Sequence, residues 1–318
     1  MIGRLKILIH DFKYSIKKRL RERGFMIIYS QQIRPINLAL IVRIVDYDYF
    51  PPMKINKYWS ENNPVITHFF NAFQATFPEG EKLFIQSALD GASILFKKGK
   101  MDNQFRIDLK NFIRQEALHS QQHVKWTKAL IQLGYKNLKF YDDQLRRFRI
   151  FAQKNIPTIL RLSMTAAAEH YTASLAYLFT HIKPKILIHF PIEFKGLLLY
   201  HAMEEIEHKS VCFDLYQNVS GSYIIRIFGF LFVTIDLIYN VYIRIRYLLK
   251  MDGDFGLKIR LKLFKFIFGK EGIVKGLLFR LKKFLKPSFH PWKTDERDLI
   301  NNTFRHYQSE MNIAPFKI

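Results

Sequence analysis

The sequence predicts an all-α protein, a helical bundle followed by apolar and strongly basic helices. Three observations carry this expectation. Long segments poor in Gly and Pro repeat their apolar residues at three- and four-residue steps. No convincing set of alternating strands and no solenoid period is present. Apolar residues make up 49% of the 318-residue chain and aromatics 15%, which excludes a disordered polymer.

Residues 1–25 carry eight Lys/Arg and two acids, without the apolar run and small-residue cleavage site of a signal peptide. RPINLALIVRIVDYDYFPP (34–52) suggests a short extended piece. Residues 1–60 are therefore assigned to a basic N-terminal extension, 61–220 to the bundle and 221–318 to an apolar, basic helical region. Within the bundle, a helix is expected over 77–96, opened by Pro78 with acids in its first turn. Further helices are expected over 102–134, 156–181 and 193–219, with Gly134, Pro157, Pro191 and Gly221 as punctuation.

After Gly221 the composition changes. IFGFLFVTIDLIYNVYI (227–243) has one charge, Asp236, and is at the short end for a membrane span. GLKIRLKLFKFIFGK and GIVKGLLFRLKKFLK then interleave basic residues with Leu, Phe and Ile at helical steps. Residues 244–286 hold thirteen Lys/Arg against three acids, within a formal net charge of +23. That pattern suits an in-plane helix on an anionic bilayer, against the plainer alternative of bundle helices with basic solvent faces. No nucleic-acid recognition motif accompanies the charge, so nucleic acid is not the expected partner. The single cysteine, Cys212, allows no intrachain disulfide and excludes a thiolate-only metal site.

HAMEEIEHKS (201–210) packs two histidines and three carboxylates between apolar runs. Glu205 and His208 stand at i and i+3 on one helix face, with His201 a turn earlier and Cys212 a turn later. Of eleven histidines, only His208 and His119 follow a Glu by three residues; the second motif is Glu116–His119, and His123 continues its face. Two Glu-x-x-His helices are half of a dimetal carboxylate bundle, which takes one further Glu from each of two other helices. Glu81 lies 35 residues before Glu116, and Glu169 lies 36 before Glu205, both in expected helices. Four carboxylates balance two divalent cations, and N/O ligation without thiolate suits iron, with manganese and zinc as alternatives. Around Glu169 the same face carries Thr165, Ala166, Thr172, Ala173 and Ala176, small enough to leave room beside a buried site. His123 and His201 are open between ligand, hydrogen-bonding support and core packing. Glu204, at i−4 from His208, competes with Glu205, whereas Glu207 points elsewhere.

FPEGE (77–81), QEALHSQQH (115–123), AEHYTA (168–173), HAMEEIEHKSVCFDLY (201–216) and FHPW (289–292) resemble the bacterial family called predicted metal-dependent hydrolases, a branch of the ferritin-like group. The resemblance runs from about residue 30 to 300 and implies Glu81, Glu116, His119, Glu169, Glu205 and His208 as the ligands of a ferritin-like dimetal bundle. The spacing of His201, Glu205 and His208 is also similar to that of di-iron arylamine N-oxygenases, which add a third histidine.

The function expected on these grounds is that of a di-iron oxidase or oxygenase using O2 on an apolar or lipid-like substrate. Metal-dependent hydrolysis by a dimetal-activated water is the alternative, and non-enzymatic iron binding the third. The expected location is cytoplasmic, peripheral on or partly inserted into the inner membrane. The expected partners are anionic lipid, a small-molecule or lipid substrate, and a second copy of the chain as a homodimer.

Overall fold

A computed structural model describes residues 39–311 and 314–315; the basic segment 1–25 lies outside them. Among the described residues the fold is all-α, with one two-stranded ladder of β1 (Arg43–Ile44) and β2 (Ala314–Pro315).

Helix α1 (Phe50–Ile55) and α2 (Pro64–Gln74) each carry proline in the first turn, where a missing N–H costs nothing. Asn63 caps α2 by accepting from the Val65 and Ile66 amides. Helices α3 (Phe77–Lys97) and α4 (Asn103–Gln132) are joined by a short connection that turns the chain back on itself. Gly99 takes φ +61 there, a conformation that disfavours side chains, and Asp102 caps α4 through the Phe105 amide. Helix α5 (Leu138–Asn155), which the sequence reading did not single out, leads to α6 (Thr158–Tyr177), extended by a π-helical turn at Leu178–Ile182.

The segment expected as one helix over 193–219 is divided into α7 (Ile192–His208) and α8 (Val211–Val219). No Gly or Pro marks the break. It coincides with the buried Lys209 ammonium, which donates to Glu296 Oε2 at 2.6 Å and to the Thr294 carbonyl while lying 3.9 Å from the Trp292 ring centroid. Helices α9 (Tyr223–Met251), α10 (Leu257–Phe268), α11 (Ile273–Phe284) and α12 (Arg297–Met311) complete the order.

The bundle is a closed ring of contacts. Helix α3 packs on α4, α6 packs on α7, and the pairs meet through α3 with α6 and α4 with α7. One core cluster is aromatic, with Trp59 stacked on Phe194 at 4.1 Å and set edge-on to Trp126 at 5.5 Å. Asn71 Oδ1 accepts from both indole N–H groups, so neither is left unpaired. Tyr49, Met53 and Trp59 belong to this core, so residues 39–60, placed by the sequence in an extension, are packed into the body. The second cluster, around Phe112, Phe213, Tyr216 and Phe284, contains Cys212 as a buried packing residue.

Helix α9 is long and apolar enough to cross a membrane by length and composition. It packs on α6 and α2. Gly229 lets it approach α6 closely: a Cβ there would lie 2.3 Å from Ser163 Oγ and 2.7 Å from the Ser163 carbonyl carbon. Beyond that point Phe230 stacks on Tyr171, and the Tyr171 hydroxyl pairs with Thr234 Oγ1 at 2.7 Å.

Candidate metal centre

The four core helices each bring ligand-type side chains to the same interior point. Helix α3 contributes Glu81, α4 Glu116, His119 and His123, α6 Glu169, and α7 His201, Glu205 and His208. All eight are buried. They fall into four groups whose ligand atoms lie within 4.8 Å of one another: Glu116, Glu169, Glu205 and His208; Glu81, Glu116 and His119; His119, His201 and Glu205; and Glu81, His123 and His201. Glu116 and Glu205 each belong to two groups, so the sets adjoin.

Several hydrogen bonds fix the imidazoles. The Gln115 amide gives its hydrogens to the Ile41 carbonyl and to Glu207 Oε2, which turns its own oxygen toward His208. That oxygen accepts from His208 Nδ1–H at 3.0 Å. Nε2 of His208 therefore faces Glu169 Oε2 at 3.2 Å, Glu116 Oε1 at 3.3 Å and Glu205 Oε2 at 3.4 Å. On the other motif, His119 Nε2 pairs with Glu204 Oε2 at 2.8 Å, which leaves Nδ1 toward Glu205 and Glu116. Glu204 thus turns away from the ligand groups, and Glu205 is the one that enters them. Arg43 accompanies Glu204 and Glu207, donating to Glu207 Oε1 at 2.5 Å and to Glu204 Oε1 at 3.3 Å. Glu207 is buried and paired rather than solvated. His201 bridges Glu205, at 2.7 Å through Nε2, and His123, at 3.1 Å through Nδ1. Phe77 stacks on the His123 ring at 4.6 Å, and the Thr172 hydroxyl donates to Glu205 Oε2.

The electrostatics are those of a cation site. Burial, with the charges of Glu205 and Glu169, raises the Glu81 carboxyl well above its usual range; burial with Glu169 and Glu205 does the same to Glu116. Burial outweighs the His208 charge at Glu169, which is raised to about 7. At Glu205 burial is outweighed by His208 and His201, and the carboxyl is held low. Burial and the neighbouring His201 push His119 and His123 down, whereas Glu205 and Glu169 overcome burial to raise His208. A field that favours positive charge on His208 favours a metal ion at the same place.

The residues fit such an ion by their unmet bonding capacity. Both oxygens of Glu81, Glu116 and Glu169, with His119 Nδ1 and His208 Nε2, are buried without a hydrogen-bond partner. Native interiors hold few such atoms, because an unpaired buried carboxylate is very costly. Their convergence at one point is what a coordinating cation would satisfy.

Gln115, Arg43 and the orienting role of Glu204 were not read from the sequence. The one available signal for Glu204 was its i−4 position relative to His208; Arg43 is 161 residues from Glu204 and carries none.

An all-helical body with buried carboxylates and imidazoles converging from four helices defines a helical metal-binding protein. A family model described as "Predicted metal-dependent hydrolase" matches residues 42–295, and the chain belongs to that family. No curated protein and no solved structure matches it.

Proposed function

We propose that the chain is a two-metal hydrolase acting on a substrate with an apolar portion. The observation that carries the two-metal reading is the double membership of Glu116, which lets one carboxylate serve two adjoining ligand sets. Glu116, Glu169, Glu205 and His208 would hold one ion, and Glu81, Glu116 and His119 the other, with His123 and His201 beside the second. The family description favours hydrolysis. Bound divalent ions supply one of two chemistries in such a site: they lower the pKa of a shared water for hydrolysis or, where the metal is iron, they reduce O2.

The protein's own part is orientation and exclusion of water. Gln115 and Glu204 hold the two imidazoles in position, Arg43 balances the charge behind them, and Thr172 fixes one Glu205 oxygen. Toward the substrate side, Phe73, Phe77, Leu175 and Phe179 line a cavity of about 40 Å³ that reaches His201 and Glu205. An apolar approach of this kind selects apolar groups.

Oxygen chemistry is a second reading, favoured by that same observation: a narrow apolar cavity ending on a carboxylate- and histidine-rich centre suits O2, a small apolar molecule. Two loadings of the full chain separate the readings. Zinc- or manganese-loaded protein under nitrogen should turn over long-chain ester, amide or phosphoester substrates, with the activity lost in Glu116→Ala. Oxygen uptake by the ferrous protein, with no turnover in the zinc form, would replace hydrolysis by oxidation.

A further inference from the structure

Helix α9 keeps one face apolar and uncovered along most of its length. Ile224, Phe228, Leu231, Ile235, Ile238 and Tyr242 are 46%, 65%, 51%, 70%, 65% and 51% exposed. Their steps of four, three, four, three and four place them in one line, about 27 Å long at the helical rise. Soluble monomers rarely leave so continuous an apolar surface uncovered. Helix α10, which follows after a short turn, has a second such line in Leu257, Leu261, Phe264 and Phe268. Exposed Lys258, Arg260, Lys262 and Lys265 are set between them, and neither α10 nor α11 contains an acid.

The geometry points to an anionic lipid bilayer as the occupant: we infer that α9 lies in the plane of the membrane surface with this face in the lipid, and that a lipid tail enters the protein beside it. Charge complementarity selects the bilayer. Cations on long stems among exposed Leu and Phe reach lipid phosphates while the apolar side chains insert. A second copy of the chain would instead bring the same cations together. The in-plane orientation follows from packing, since the flank and opposite face of α9 are bound to the bundle through Gly229, Phe230, Thr234 and Leu248, and the line itself is covered only beyond Tyr242, at Ile245 and Leu249. A perpendicular span would carry the exposed Arg146 and Arg147 of α5 into hydrocarbon.

A cavity of about 120 Å³ lies on the flank of α9, beside this face. Phe232, itself 41% exposed, and Leu237 of α9 form one wall; Phe148 of α5 stacks on Phe232 at 5.7 Å. Phe73, Phe77, Thr172 and Leu175 line this cavity and also the smaller one that ends on His201 and Glu205. A tail leaving the bilayer beside α9 would therefore meet those four side chains and, behind them, the metal centre. This entry route rests on the reading of the centre as acting on an apolar substrate; the docking itself does not.

The test uses the full chain and phosphatidylcholine vesicles with or without phosphatidylglycerol. Binding should be about tenfold or more stronger with phosphatidylglycerol, since a few interfacial basic residues suffice for that factor. The double variant Ile235→Glu/Ile238→Glu should lose about tenfold or more of it, through lost insertion, at unchanged metal content and unfolding temperature. Fluorescence of Ile235→Trp should be quenched by lipids brominated in their tails. The inference is overturned if the parent chain stays in the supernatant with anionic vesicles, if the double variant binds like the parent, or if it merely converts a dimer to a monomer. Turnover persisting in a chain that does not dock would overturn the docking alone. Docking without any metal-dependent turnover would leave docking intact and remove the entry route.

Discussion

Gln115 and Glu204 stand behind His208 and His119 and decide which nitrogen of each ring faces the cluster. Partners of this kind typically carry a 10–100-fold effect on metal affinity. Gln115→Leu keeps the side chain's bulk and removes its oxygen, so metal affinity measured by chelator competition should fall by about 10–100-fold while the chain remains folded. Glu116→Ala removes a carboxylate shared by two ligand groups and should strongly lower metal content in the purified protein. Glu207→Ala should behave differently. It leaves Glu204 as the remaining carboxylate partner of Arg43 in a buried site, so it should lower the unfolding temperature, while Gln115 keeps its bond to the Ile41 carbonyl and metal content is largely spared. The contrast between these variants shows what was legible. Glu116, His119, Glu205 and His208 follow a helical period, and Glu81 and Glu169 precede them by near-equal spacings, both of which a sequence displays. Gln115 was in view only as a neighbour of Glu116, and Arg43 acts through a tertiary contact that no spacing records.

At the scale of elements, the helices carrying the ligands run close to their expected limits: 77–97, 103–132 and 158–177 against 77–96, 102–134 and 156–181. Pro, Gly and capping residues mark those ends, so the chain itself announces them. The division of 193–219 at Lys209–Ser210 was not announced, because Lys209 is drawn by Glu296, far along the chain. Gly229 also looks ordinary in an apolar run, yet α9 needs it. Gly229→Val would place a Cβ against the Ser163 backbone, which cannot move as a side-chain tip would. Overpacking of this type costs about 1–3 kcal/mol. Calorimetry should show a lower melting temperature for Gly229→Val, whereas Gly256→Ser, at the N-cap of α10 with nothing within 4 Å of its Cβ position, should not lower it.

Over the whole molecule, the C-terminal region is joined to the bundle rather than appended to it, which composition alone does not disclose. Asp252, just past α9, accepts from the Tyr135 hydroxyl at 2.9 Å and pairs with His68 Nε2 at 2.8 Å, tying the end of α9 to α2 and to the turn after α4. A chain ending near Ser220 would lose this tie and both α9 interfaces, and should not fold as the bundle does. The same contact makes stability depend on acid. Burial raises the Asp252 carboxyl, but hydrogen bonding and charge from His68, with the hydroxyls of Tyr135 and Tyr58, outweigh it and hold the group at about 2 against an ordinary 3.8. A carboxyl depressed in the folded state contributes its full stability above its ordinary value and loses it as pH falls toward the folded one. Discounted for a half-buried group, that contribution is about 1 kcal/mol. Denaturant unfolding of the metal-free chain and of Asp252→Asn should therefore show a gap at about pH 5 that narrows below about pH 4. A gap that widened in acid, or no gap at about pH 5, would mean that Asp252 does not hold the C-terminal helices to the bundle.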